Sequence, residues 1–371
     1  MSPEQTISYP RRRFGRAIVR GLGRILLTLF FRVRLDGEEN FPDGGPLLVV
    51  GNHTAAMEAV MMAVYTPWQV EMLGAGDIPQ ETITELVEAI YDYIPVNRGN
   101  IDRAALRKAL QVLEQDGILA VFPEGGIWEP GPKPPQTGVS WFSYRTQTPV
   151  LPIYFGGTTG ALNDALRLKR PRLTMRVGTL IPPASIPEGI ARKSYFEQYA
   201  EKVMDAVHAL RPADEPVPYA RVKDETFSLE VSAQKDGAIR AIPDDQRIEH
   251  REALAKFLHR PAILKIFTKN LQLPVQPLEN LAEEPSPAHI DGAVRAILNY
   301  LEEENPYLLS YRFGPKQAEA MEEGLRELKE LVQWAKRTDV TLRITPIREY
   351  FDLDTQNHVT QRTQGDFIRW M

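Results

Sequence analysis

The sequence predicts an α/β fold, a mixed and largely parallel sheet flanked by helices, followed by a C-terminal α+β extension whose fold it leaves open. Three observations lead there. Short apolar runs such as "PLLVV" (46–50) and "PVLPIYF" (149–155) have the length and the lack of alternation of strands covered on both faces. Segments with helical spacing lie between such runs from about residue 45 to 211, the alternation that builds parallel sheets. Beyond it, "RPADEPVPYARVKDE" (211–225) is rich in proline and charge and reads as a linker.

Along the chain, the first element is "RRRFGRAIVRGLGRILLTLFFRVRL" (11–35). Arg16, Arg20 and Arg24 recur every fourth position and form one stripe of a helix, with Ile18, Leu22, Ile25 and Leu29 on another side. Its most apolar stretch, Ile25 to Phe31, falls far short of the ~20 residues a spanning helix needs. Two readings stand. The helix lies in a lipid headgroup region with its arginines meeting anionic lipid, or it packs its apolar face on the core. No small-residue cleavage site follows, so it does not pass as a signal peptide. Next come "AAMEAVMMAVY" (55–65), "VEMLGA" (70–75) and "TITELVEAIYDY" (82–93), read as helix, strand and helix. A helix over 101–115 keeps Ala105, Leu106, Leu110 and Leu113 on one face and ends at Gly117. Strand "ILAVF" (118–122), a Pro- and Gly-rich loop (129–138), strand "PVLPIYF", strand "RLTMRVGTLI" (172–181) and helix "SYFEQYAEKVMDAVHAL" (194–210) complete the unit. The extension shows a strand or hairpin at 226–242, helices near 246–270, 289–304 and 315–338, an acidic Pro-rich connector at 271–288, and a last strand "TLRITPI". The expected domains are thus 1–34, a membrane-associating helix; 35–211, the catalytic domain; and 212–371, an extension of unknown function.

Composition narrows the chemistry. The 371 residues, 43% hydrophobic and 25% charged, suffice for two cores. There is no cysteine, which excludes disulfides, thiolate metal sites and a thioester on the protein. The net charge of −5 comes from the second half, the first being nearly balanced, so no strongly basic domain suggests nucleic acid.

The candidate site begins with "GNHTAAME" (51–58). It brings His53 to a strand-to-helix junction, where the helix dipole keeps imidazole neutral and able to accept a proton. Glu58 follows five residues on. Deep in a helix that spacing sets two side chains about 140° apart, so the pair works only if His53 precedes the first turn and Glu58 lies within it. Taken alone, the two also read as a loop histidine and an exposed helix glutamate. Arg98, in "YIPVNRG" (93–99), is a cation before a helix, suited to a phosphate or simply to the surface. "FPEGG" (122–126) puts Glu124 at the carboxyl end of a strand, where open α/β sheets present ligand groups. Gly125 and Gly126 let a ligand approach backbone amides able to bind an anion, although a plain turn fits the same residues.

In order and context, "NHTAAME", "YIPVNRG", "FPEGG" and "VLPI" resemble the four blocks of the glycerolipid acyltransferases typified by 1-acylglycerol-3-phosphate acyltransferase, over roughly residues 35–185. The resemblance implies an O-acyltransferase acting at the cytoplasmic face of a membrane as a peripheral protein. His53 would deprotonate the hydroxyl of a lysophospholipid, which attacks acyl-CoA or acyl carrier protein directly. Glu58 would orient His53, while Arg98, Glu124, Gly125 and Gly126 would bind the acceptor. It implies no cofactor beyond the acyl donor and no metal. The absence of a Gly-x-Ser-x-Gly elbow agrees with direct transfer and disfavours a serine hydrolase. Three departures matter: Glu58 replaces the usual Asp, which lengthens the arm that must reach His53, while Ile127 and Trp128 after "FPEGG", in place of polar and basic residues, and Asp77 near the place of a frequent lysine bear on the acceptor. A non-catalytic lipid-binding protein on the same fold is the alternative.

Overall fold

The computed structural model describes residues 6–76, 91–97, 101–125, 134–215, 222–259, 286–353 and 355–362. The chain divides near residue 220 into two units. In the first, strands β1 (Arg32–Asp36), β2 (Leu47–Gly51), β3 (Glu71–Ala75), β4 (Ile94–Val96), β5 (Ile118–Val121), β6 (Val150–Gly156) and β7 (Arg172–Val177) form a seven-stranded sheet. Its order is β1-β7-β6-β2-β5-β3-β4, and every described pairing is parallel except β6 with β7. The mixed, largely parallel sheet is the one the sequence predicts.

Strand β2 sits between β5 and β6 and is buried on both faces, which is why its sequence does not alternate. Leu47 and Val49 belong to one apolar core, with Met61, Met62 and Val64 of α2 (Met57–Tyr65) and Leu27 of α1 (Arg13–Phe30). Leu48 and Val50 enter the opposite core. There they join α3 (Arg103–Glu114), α4 (Gly138–Thr146) and α6 (Arg192–Ala209) through Ala109, Phe142 and Val203. A short helix, α5 (Ala161–Leu166), follows β6. At the start of α3 the Asp102 carboxylate accepts from the Ala104 and Ala105 amides, at 3.1 and 3.0 Å, satisfying two orphan donors.

Helix α1 turns its apolar row outward, against the core-packing reading, and its arginine stripe toward the protein, where the sequence put it against lipid. The arginine stripe faces inward: Arg16 is fully buried, and its Nη1 and Nη2 donate to Glu71 Oε1 and Oε2 at 2.5 and 2.9 Å. Its Nε reaches Tyr91 O and Nη2 also Asp92 O. Arg20 and Arg24 donate to the carbonyls of Thr66 and Val64. The apolar row faces outward, with Phe14, Ile18, Leu22, Ile25, Leu26 and Leu29 exposed, Ile25 at 65%. The cause is Glu71, a carboxylate buried at the start of β3 that only an inward guanidinium neutralises. Gly23 permits the close approach, since a Cβ there would lie 2.7 Å from a Val64 methyl. The helix also ends earlier than the predicted 34: Arg32–Asp36 forms β1, paired in parallel with β7, and the boundary at 34 falls inside this strand.

The second unit is α+β. Strands β8 (Val222–Lys235), β9 (Ala238–Arg240), β10 (Thr341–Asp352) and β11 (Asn357–Arg362) form an antiparallel sheet of order β11-β10-β8-β9. Phe227 and Leu229 of β8 are buried, as are Leu254 and Phe257 of α7 (Arg251–Leu258) and Leu325 and Leu328 of α10 (Pro315–Thr338). Between α7 and α10 come α8 (Pro287–Asn299) and α9 (Leu308–Phe313). The Asp291 carboxylate of α8 binds Lys336 of α10 at 2.6 Å and also Arg295. Most of the helix expected at 82–93 and most of the 271–288 connector lie outside the described residues.

Candidate functional site

The site lies at the carboxyl ends of β2 and β6. Just past β2, Asn52 is buried and pairs with the backbone of Phe155 in both directions, Nδ2 donating to Phe155 O and Oδ1 accepting from Phe155 N, each at 2.8 Å. This side chain continues the β2–β6 ladder by one step and fixes where His53 leaves the sheet. The His53 amide donates to Glu124 Oε2 at 2.5 Å. The His53 ring stacks on Phe122, with centroids 4.4 Å apart and planes 21° from parallel. The ends of β5 and β6 therefore fix His53 in place, its ring against Phe122, its amide on Glu124 and its neighbour Asn52 on Phe155.

Helix α2 begins at Met57, so His53 precedes it and Glu58 lies in its first turn, the arrangement the five-residue spacing requires. Glu58 is fully buried and folds back over the turn. Its Oε1 accepts from the amides of Thr54 and Ala55 at 3.2 and 3.0 Å and from the hydroxyls of Thr54 and Thr158 at 2.8 and 2.6 Å. Oε2 accepts from Ala55 N at 2.9 Å and faces His53 Nδ1 at 3.4 Å. That last separation is longer than a good hydrogen bond, and the buried Nδ1 has no hydrogen-bond partner among the described residues, so the contact is electrostatic in this conformation. Burial alone would raise the Glu58 pKa, but His53 and the Thr158 and Thr54 hydroxyls outweigh it and bring it below the ordinary carboxylate value. The residue therefore stays anionic above that range, and its contribution to stability is lost only as pH falls through the lowered value. Chemically, the arrangement is an imidazole with a fixed anion beside Nδ1, a pairing of the kind that general base chemistry uses.

The remaining predicted residues divide. Glu124 is buried, and its Oε2 accepts from the His53 amide, which places it beside the histidine. Gly125 adopts φ +72°, and its amide donates to Phe122 O at 3.1 Å, closing a turn after β5. Arg98 and Gly126 lie outside the described residues. Four contributors were not singled out from the sequence: Asn52, Thr54, Phe122 and Thr158. The first three flank predicted residues inside the quoted blocks, and Thr158 follows the glycine pair that ends β6, "GGT" (156–158).

Fold and site together define an α/β protein whose carboxylate-backed histidine sits at the ends of two adjacent strands. Residues 32–156, about a third of the chain, match the family model described as Acyltransferase. Over 96 residues the chain is 27% identical to 1-acyl-sn-glycerol-3-phosphate acyltransferase of Borreliella burgdorferi, a match covering 25% of this chain and 38% of that relative's length. The crystal structure of the 1-acyl-sn-glycerophosphate (LPA) acyltransferase PlsC from Thermotoga maritima aligns with a TM-score of 0.40 and 19% identity, over 54% of this chain and 79% of that one. The similarity to acyltransferases is thus confined to residues 32–156, and the chain spans 38% of the length of the curated relative it matches.

Proposed function

We propose that this protein is an O-acyltransferase that moves a fatty acyl group from acyl-CoA or acyl carrier protein to the hydroxyl of a lysophospholipid such as 1-acylglycerol-3-phosphate. The observation that carries the reading is the Glu58 carboxylate 3.4 Å from His53 Nδ1, in a segment that matches the acyltransferase family model. His53 Nε2 takes the acceptor's proton as its oxygen attacks the thioester carbonyl. The tetrahedral adduct collapses, the carbon–sulfur bond breaks, and the proton passes from His53 to the leaving thiolate, giving the acylated lipid and a free thiol. Glu58 stabilises the imidazolium formed between these steps. Base catalysis of this kind supplies roughly 10²–10⁴-fold, with the rest coming from alignment of the two substrates. Arg98 binds the acceptor's phosphate.

On this reading the protein docks on the cytoplasmic face of a membrane, where soluble acyl donors and lipid acceptors meet. No described helix is long and apolar enough to cross a membrane. Support for docking comes from the outward row of α1, whose apolar side chains would sink into the headgroup boundary with the helix lying flat. Leu162, Leu166 and Leu168 are exposed as well, and Arg170, just after them in the chain, donates to Thr28 O at 3.0 Å near the end of α1. With Arg16 buried and Arg20 and Arg24 bonded to backbone carbonyls, attachment depends on apolar area more than on lipid charge.

The test is acyl transfer from labelled acyl-CoA or acyl carrier protein to a panel of lysolipids, comparing wild type with His53→Ala. Transfer by wild type and its loss in the variant are expected. Absence of any labelled acceptor with either donor would overturn this reading in favour of the non-catalytic lipid-binding alternative. In flotation with zwitterionic and anionic vesicles, wild type should bind both and Leu22→Glu/Ile25→Glu neither; equal binding by the two proteins removes the docking face.

A further inference from the structure

We infer that Thr158 is a positioning residue for the base: its hydroxyl fixes the Glu58 carboxylate relative to the sheet and so keeps Oε2 aimed at His53. The inference rests on the proposed acyl transfer. Glu58 receives five hydrogen bonds on its two oxygens, and four of them come from Thr54 and Ala55, three and four residues before it on the same turn. Those four move with the glutamate if the turn shifts. The fifth, from Thr158 Oγ1 at 2.6 Å, comes from the loop that follows β6, 100 residues along the chain.

That loop is anchored where the contact needs it. Asn52 locks β2 to Phe155, and Thr158 follows three residues later, so the end of β6 is the common reference for both members of the His53–Glu58 pair. Gly157 turns the chain between them with φ +68°, and a Cβ there would lie 2.1 Å from Arg172 O, so no larger residue reproduces the turn. Thr158 is itself 4% exposed. The hydroxyl protons account for the direction of the bonds: Thr158 and Thr54 each have one, both given to Oε1, while Thr159 donates to Thr54 Oγ1 at 3.3 Å. With Oε1 saturated, Oε2 is the oxygen left to meet an imidazolium. A glutamate arm is one methylene longer than aspartate and has one more torsion to lose, and the threonine removes that freedom from outside the turn.

The experiment measures kcat and KM for acyl transfer in the full-length protein. Thr158→Val, which keeps shape and removes the hydroxyl, should lower kcat roughly 10- to 100-fold, the scale of one lost hydrogen bond to a charged group, with KM for either substrate unchanged. Thr158→Ser should retain most of the rate. In a Glu58→Gln background, Thr158→Val should change kcat by less than about 2-fold, since the carboxylate it positions is gone. A wild-type kcat in Thr158→Val overturns the inference, and so does an equal loss in the Glu58→Gln background, which would mark a merely structural residue. If the valine variant does not fold, Thr158→Ala read in the same two backgrounds makes the same distinction. An inactive wild type would instead overturn the proposed function itself.

Discussion

Replacing Arg16 by alanine isolates the contact that sets the orientation of α1. Three bonds reach the buried Glu71 carboxylate: Arg16 Nη1 at 2.5 Å, Arg16 Nη2 at 2.9 Å and Arg11 Nε at 2.8 Å. Without Arg16 one remains, and the carbonyls of Tyr91 and Asp92 each lose a donor. Removing one partner of a fully buried pair costs about 3–5 kcal/mol, and because Arg11 stays in place the lower end applies, about 3 kcal/mol. With urea slopes of about 1–3 kcal/mol per molar, the unfolding midpoint of the first unit should fall by roughly 1–3 M. Amide exchange of peptides from α2 and β3 across a urea series reads that unit separately from the second. Arg16→Met/Glu71→Met, which fills the space with matched apolar groups, should recover most of the loss. A midpoint shift of less than about 0.3 M for Arg16→Ala, or a double variant no more stable than Arg16→Met alone, refutes the argument.

Two further outcomes follow from the same unit. Asn52→Leu orphans the amide and carbonyl of Phe155, at about 1–3 kcal/mol each, and should lower both the melting temperature and kcat; unchanged kcat would show that the Asn52 bridge does not place His53. Burial pushes the Tyr91 hydroxyl up to about 12, so the folded state prefers the neutral phenol and its stability is complete below about pH 10 and declines from there toward 12. Tyr91→Phe should flatten that alkaline loss, of roughly 3 kcal/mol at full extent, and an unaltered alkaline limb would contradict the assignment.

How much of this was legible in the sequence depends on where each residue's partner lies. The central strands announce themselves because both faces of β2 and β6 meet apolar neighbours and no polar position interrupts them. Strand β1 does not, because "RVRLD" (32–36) lies on the sheet's edge, and its arginines extend a pattern that looks helical from upstream. His53 and Glu58 are five residues apart and so show in one window; Thr158, as essential to the geometry, is 100 residues from Glu58 and is a plain threonine in a glycine turn. Glu124 was visible as a strand-end carboxylate, but nothing local says whether such a group turns outward to a ligand or inward to the His53 amide.

Helix α1 carries the point furthest. Periodicity divides its residues correctly into a cationic and an apolar face, and the usual inference from there is that the apolar face goes inside, because burying it releases more free energy than burying arginine. That inference assumes an interior without charge. Glu71, 55 residues downstream of Arg16, reverses the sign: a buried carboxylate makes an inward guanidinium the lower-energy choice and leaves the apolar row in solvent. An amphipathic pattern therefore specifies an axis of asymmetry and not its direction; the direction belongs to the counter-ion. On the proposed membrane docking, the face that meets lipid is the oily one, and removing charge from the arginines should weaken the fold, read as a lower urea midpoint, before it weakens vesicle flotation.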